Sequence, residues 1–198
     1  LFAIISVGAV LRLAGIGSVG PEGTNGIDTD AFTYLDTGRL VATGFDAVIL
    51  RGRSISEVEG YLIHVPKPLH GLLIGTVMTV VQNDHAIWAG PLVGAIFGTL
   101  TIPVIFILGR QLAGVAVGLV AASISAISAY NVHYSRTAYA ETDAYFFVYL
   151  SLVLLIASWR AQSYKWARWQ SFAAGAAAGL ALTVNYRLAW VPAAILLF

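Results

Sequence analysis

The chain has 198 residues, 58% of them hydrophobic and 11% charged, with a net charge of +1 and no cysteine. Soluble domains run nearer ~45–50% apolar and about 25% charged, so the composition points to a membrane protein. A disulfide framework and a thiolate-held metal are excluded, and a charge this close to zero gives no footing for nucleic acid as a partner.

The chain is apolar from Leu1, and residues 1–19 form the first candidate membrane helix, interrupted by Arg12. There is no initial Met, and the last residues, "LAWVPAAILLF", lie inside another apolar run. The 198 residues therefore read as the N-terminal part of a longer membrane domain. A signal peptide fits the first run less well, because it lacks a basic leading region.

Residues 20–65 are polar, and a connection this long is expected to have a purpose. Within it, 28–43 reads as a helix, with Asp28 or Thr29 as N-cap and Gly44 as its stop. Ala31, Tyr34, Leu35 and Val41 fall mainly on one face, which suits a helix lying on the membrane surface. The run 66–82, "PKPLHGLLIGTVMTVVQ", either spans or dips into one face.

Three further runs are apolar enough to span: 86–109, 112–130 and 143–159. A last run, 170–198, is interrupted by "NYR" at 185–187. Arg160, Lys165 and Arg168 share one short loop, which the positive-inside rule assigns to the cytoplasm. Counting back, the segment 131–142 is external. The segment 20–65 is external too if 66–82 does not span, and the two acidic clusters can then meet. The expected fold is an all-α polytopic membrane protein.

Those clusters are "DTD" at 28–30 and "ETD" at 141–143, each where polar chain meets apolar helix. Carboxylates are costly to place at such depth and mark functional sites by default. Asp30 and Asp143 are the candidate chemical groups. Asp28 is either a cap or a second ligand, and Asp36 and Asp46 read as solvated residues of the loop. Lys67, between two prolines, would hold an ammonium at headgroup depth, as a phosphate partner or by snorkelling. Arg136 and Arg187 are candidates for the same anion site, or for structural pairing with a carboxylate. His64, His70 and His133 lack ligand-like spacing, so no zinc site is expected. Tyr130, Tyr134, Tyr139 and Tyr145 read first as an interfacial belt, and more sharply as surfaces for sugar stacking.

The ordered series "DAFTYLDTGRLVATG", "KPLHGLLIG", "LGRQLAG" and "SRTAYAETDAYFFVYLSL" resembles the membrane-embedded glycosyltransferases of the GT-C fold. The likeness is to family 39, the protein O-mannosyltransferase and aminoarabinose-transferase group, and it runs along nearly the whole chain. It implies a GT-C helical bundle whose long first extracytoplasmic loop, residues 20–82, contains juxtamembrane helices. In that family an aspartate of the first external loop, often in D-E-x-x-Y, is catalytic or orients the acceptor. Asp30 matches it, with Tyr34 four residues on and Ala31 in place of the second acid. Lys67-Pro68-Leu69 resembles the K-P-P-L segment whose lysine meets the lipid phosphate, and Asp143 matches the family's second aspartate. Glu141 stands beside it as a supporting acid, and Arg187 follows a "GLAL" run as a basic residue often does in the family.

The resemblance implies transfer of a sugar from a polyprenyl-phosphate donor to a hydroxyl of a protein, lipid or glycan acceptor. The protein would sit in the plasma membrane or an endomembrane, with its site on the extracytoplasmic face. No cofactor is expected. If the enzyme is instead oligosaccharyltransferase-like and metal-dependent, Asp28, Asp30, Glu141 and Asp143 would hold a divalent cation. A transporter or lipid flippase is the reading from another class, though no carboxylate falls at mid-span, where transporter sites are usual.

Overall fold

The computed structural model describes residues 1–16, 29–43 and 67–189, with Thr29 and Asp30 described for their backbone alone. Eight α-helices and no strand occur among them: α1 Phe2–Leu13, α2 Thr29–Ala42, α3 Pro68–Val80, α4 Ala89–Ala113, α5 Val115–Ile127, α6 Ala129–Tyr134, α7 Glu141–Trp159 and α8 Tyr164–Val184. A 3-10 turn follows at Tyr186–Leu188. The helices pack chiefly as pairs, α2 with α3, α4 with α5, and α7 with α8, while α4 also runs against α7 and α1.

Two helices, α4 and α7, are long and apolar enough to cross a membrane. They coincide with the expected spans at 86–109 and 143–159. At 1.5 Å per residue α4 reaches roughly 37 Å, against a hydrocarbon core of about 30 Å. The run 112–130 is corrected. It is broken at both ends, leaving α5 with 13 residues. Gly114, at φ 92° and ψ 176°, makes the reversal from α4 in a conformation open essentially to glycine alone. Ser128 then leaves the helix and caps α6 through Asn131 N–H. The helix α3 is also 13 residues, or about 20 Å, too short to cross alone.

Small residues set the close approaches. A Cβ on Gly38 of α2 would meet Ile74, and one on Gly75 of α3 would meet Val41 and the Gly38 carbonyl. The apolar face of α2 is therefore packed on protein. Ala31, Tyr34 and Leu35 are buried in a cluster with Ile74, Met78 and Val93. An amphipathic face reports only that something apolar covers it, and here α3 and α4 supply the cover. Along α4, Gly90, Gly94 and Gly98 face Ala138, the Ser135 and Thr137 carbonyls and the Ser135 hydroxyl. That bare stripe lets the segment 135–140 lie directly on the helix. On α8, Ala174, Ala177, Ala178 and Ala181 are buried, and Ser151 of α7 donates to the Ala174 carbonyl at 2.9 Å.

Arg12 is the largest fully buried side chain in the described residues. It donates to the carbonyls of Gly8, Ser125 and Ala126 at 3.0 Å each and to the Ser135 hydroxyl at 3.2 Å. Ser125 and Ala126 lie in the last turn of α5, where carbonyls lack helical partners and a cation is favoured.

Candidate functional site

Tyr34, Lys67, His70, Glu141 and Asp143 come together where α3 and α7 begin. Pro68 opens α3 at a position where its missing N–H costs nothing, which fixes Lys67 just outside the first turn. Its ammonium stands 3.3 Å from Glu141 Oε1 and 4.7 Å from the centre of the Tyr34 ring. The Lys67 side chain is only 4% exposed, so burial favours loss of its proton. The Tyr34 hydroxyl and the Glu141 carboxylate more than reverse this, and the Lys67 pKa is raised overall. Lys67 is a cation at neutral pH.

One turn on, His70 is fully buried with both ring nitrogens engaged. Nε2 lies 2.7 Å from the Ala138 carbonyl and Nδ1 lies 2.9 Å from Asp143 Oδ2. A carbonyl can only accept, so Nε2 carries a proton and donates. One more proton must then lie between Nδ1 and Asp143, because an ionised carboxylate also only accepts. Burial lowers the His70 pKa, but the attraction and hydrogen bond of Asp143, with the Ala138 bond, raise it overall. His70 thus holds its proton more tightly than a free imidazole does. Asp143 and Glu141 both lie in the first turn of α7, where the helix N-terminus favours negative charge. The Tyr34 ring meets the His70 ring edge-on at 5.4 Å.

At the α7 start, Glu141 Oε2, Thr142 Oγ1 and Asp143 Oδ1 are buried without a hydrogen-bond partner among the described residues. Natural structures leave few such atoms, and these three lie in consecutive residues. No group of three His, Cys, Asp or Glu side chains placed to hold a metal occurs among the described residues.

Lys67, Tyr34, Glu141 and Asp143 are thus brought together. Asp30 lies in the first turn of α2, one turn before Tyr34, but its side chain is outside the described residues, and so is Asp28. The turn bearing Arg187 packs through Leu188 against Ala140 and Ala144, with Leu69 alongside, so Arg187 sits at the edge of the site. Arg136 points elsewhere, donating to the Leu11 carbonyl at 2.9 Å. His70 lacks metal-ligand spacing and so does not stand out in the sequence. Its signal was its place three residues after Lys67, on the same side of a helix.

Ionisable side chains buried together at the ends of apolar helices mark a membrane protein with a candidate active site there. The chain belongs to the dolichyl-phosphate-mannose-protein mannosyltransferase family, which matches residues 64–198. It is a glycosyltransferase of the mannosyltransferase type. The match includes Lys67, His70, Glu141 and Asp143 and stops short of α2, with Asp30 and Tyr34. Comparison with curated proteins and with solved structures gives no match.

Proposed function

We propose that the protein transfers a sugar from a polyprenyl-phosphate donor to an acceptor hydroxyl on the extracytoplasmic face of its membrane. The observation that carries this is Lys67, a buried cation at the start of α3, set between Tyr34 and Glu141 and one turn from the His70–Asp143 pair. A dry cation of this kind stabilises the negative charge that develops on a departing phosphate, often the largest single contribution to catalysis. Arg187, at the edge of the site, is the second donor-phosphate group.

Asp30 is the base. It takes the acceptor proton as the hydroxyl oxygen bonds to the anomeric carbon. The bond from that carbon to the phosphate oxygen breaks, and the lipid phosphate leaves with the electron pair. The displacement inverts the anomeric centre and forms no covalent enzyme intermediate. Asp143, fixed by His70, orients the acceptor through its unpartnered Oδ1. The helices α2 and α3 are juxtamembrane elements of an external segment, 20–82, and the short length of α3 supports that placement. The reaction needs no metal.

The test uses the full-length protein in membranes with radiolabelled polyprenyl-phosphate sugars. Asp30→Asn should lower transfer by about 10²–10⁴-fold, the usual contribution of a positioned base. Lys67→Ala should raise the donor KM, and EDTA should leave transfer unchanged. Loss of transfer in EDTA would favour a metal-dependent enzyme. Normal transfer by Asp30→Asn would remove the catalytic assignment.

A further inference from the structure

The end of α7 far from the candidate site carries a second concentration of charge. At 1.5 Å per residue its 19 residues put the turn between α7 and α8 about 28 Å from the α7 start. That turn and the start of α8 hold Arg160, Lys165 and Arg168. Residues 144–198 contain no aspartate or glutamate. Among the described residues none of the three cations has a carboxylate within salt-bridge reach. Lys165 lies in the first turn of α8, where the helix's own positive end opposes it and no acid compensates.

Lys165 and Arg168 open onto a cleft of about 520 Å3, walled otherwise by Tyr164, Trp169 and Phe172. The spacing of these five residues puts them on one face of α8. The buried residues Ala174, Ala177, Ala178 and Ala181 lie on the opposite face. The Arg168 guanidinium sits 5.5 Å from the centre of the Tyr164 ring, within cation–π range, and Trp169 meets Phe172 edge-on at 6.1 Å. Trp169 and Phe172 are 60% and 70% exposed, so the described residues leave both rings uncovered. Farther along the same face, a Cβ on Gly175 or Gly179 would meet nothing within 4 Å, and the helix surface there is bare.

Two cations beside a strip of aromatic rings and bare helix match a molecule with an anionic head and an apolar tail. We propose that this cleft binds one anionic glycerophospholipid, its headgroup phosphate on Lys165 and Arg168 and an acyl chain along Trp169, Phe172 and Gly175. A free inorganic anion would leave the aromatic wall unused, and a purely apolar partner would leave both cations unpaired. The bound lipid neutralises the turn and fixes the depth of α7, whose opposite end carries Glu141 and Asp143. Only the assignment of this lipid to the cytoplasmic leaflet rests on the topology read from the sequence.

The test is native mass spectrometry of the full-length protein in detergent, titrated with phosphatidylglycerol or with phosphatidylcholine of the same chain length. One phosphatidylglycerol should stay bound at concentrations where phosphatidylcholine does not. Lys165→Gln and Arg168→Gln should each weaken its binding about fivefold, the usual effect of one basic residue near an anionic surface. Arg110→Gln, which removes an exposed cation outside the cleft, should leave it unchanged. Phosphatidylglycerol should raise the unfolding temperature of wild type and not that of the double variant, a measurement that also confirms that the variants fold. Equal retention of both lipids, or equal weakening by Arg110→Gln, means generic surface attraction and overturns the proposal. So does displacement by inorganic phosphate, or a dimer that excludes the lipid because a second copy covers the cleft. Asp30→Asn should retain the lipid as wild type does, so failure of the transferase reading shows separately, as transfer undiminished by that substitution.

Discussion

Replacing His70 with phenylalanine keeps a flat ring against Tyr34 but removes both hydrogen bonds of the imidazole. The Ala138 carbonyl loses its donor, and Asp143 loses its proton-bearing neighbour while staying fully buried. Breaking a buried pair by deleting one partner costs about 3–5 kcal/mol, because the other charge is left uncompensated. For a chain of this size each kcal/mol moves Tm by roughly 2–4 °C, so His70→Phe should lower Tm by about 6–20 °C. Removing both partners, in His70→Phe with Asp143→Leu, should recover most of that loss, since apolar replacement of a buried pair is often neutral. The assay is thermal unfolding of the detergent-solubilised protein, followed by loss of its monodisperse gel-filtration peak. A full cycle of wild type, both single variants and the double variant isolates the coupling. If His70→Phe unfolds at the wild-type temperature, or the double variant loses the sum of the single losses, the two residues are not coupled and the assignment of a buried pair fails.

The same pair makes stability depend on pH. The folded His70 pKa lies above its ordinary value, so the native state holds this proton more tightly than the unfolded chain. The contribution is complete below about pH 6.5, the unfolded value for histidine, and is lost as pH rises through the folded value. Tm should fall across that window, and His70→Phe should flatten the fall. Arg12→Leu should destabilise by about 2–4 kcal/mol, because it strips the last carbonyls of α5 of their donor. Arg12→Lys should rescue little of this, since an ammonium cannot reproduce the guanidinium fork. Unfolding temperatures of the three proteins check both statements.

Part of this was legible in the residues. Lys67, Glu141, Asp143 and Tyr34 stand out because charge or a polar ring at the edge of an apolar run is conspicuous, and the structure collects all four. His70 is harder to see, because its meaning lies in a partner 73 positions later that no local pattern links to it. Arg136 shows the converse. A basic residue beside an acidic cluster suggests an anion site, yet its side chain reaches across to the end of α1. The long apolar helices were readable by length, but the breaks at Gly114 and Ser128 were not. Glycine and serine are ordinary inside membrane helices, and only backbone geometry separates a packing residue from a stop. The apolar face of α2 is legible in the sequence, but not what covers it, which is α3 and α4.

Arg12 also imposes an order on how the chain is made. Its acceptors Ser125, Ala126 and Ser135 are synthesised 113 to 123 residues after it. At ~5–20 residues per second that is a wait of roughly ten seconds. Until then the guanidinium has, of its four final acceptors, only the Gly8 carbonyl of its own helix. The helix α1 is therefore made well before most of the groups that hydrogen-bond its end. It is locked only when α5 and Ser135 arrive, so α1 is secured long after it is translated.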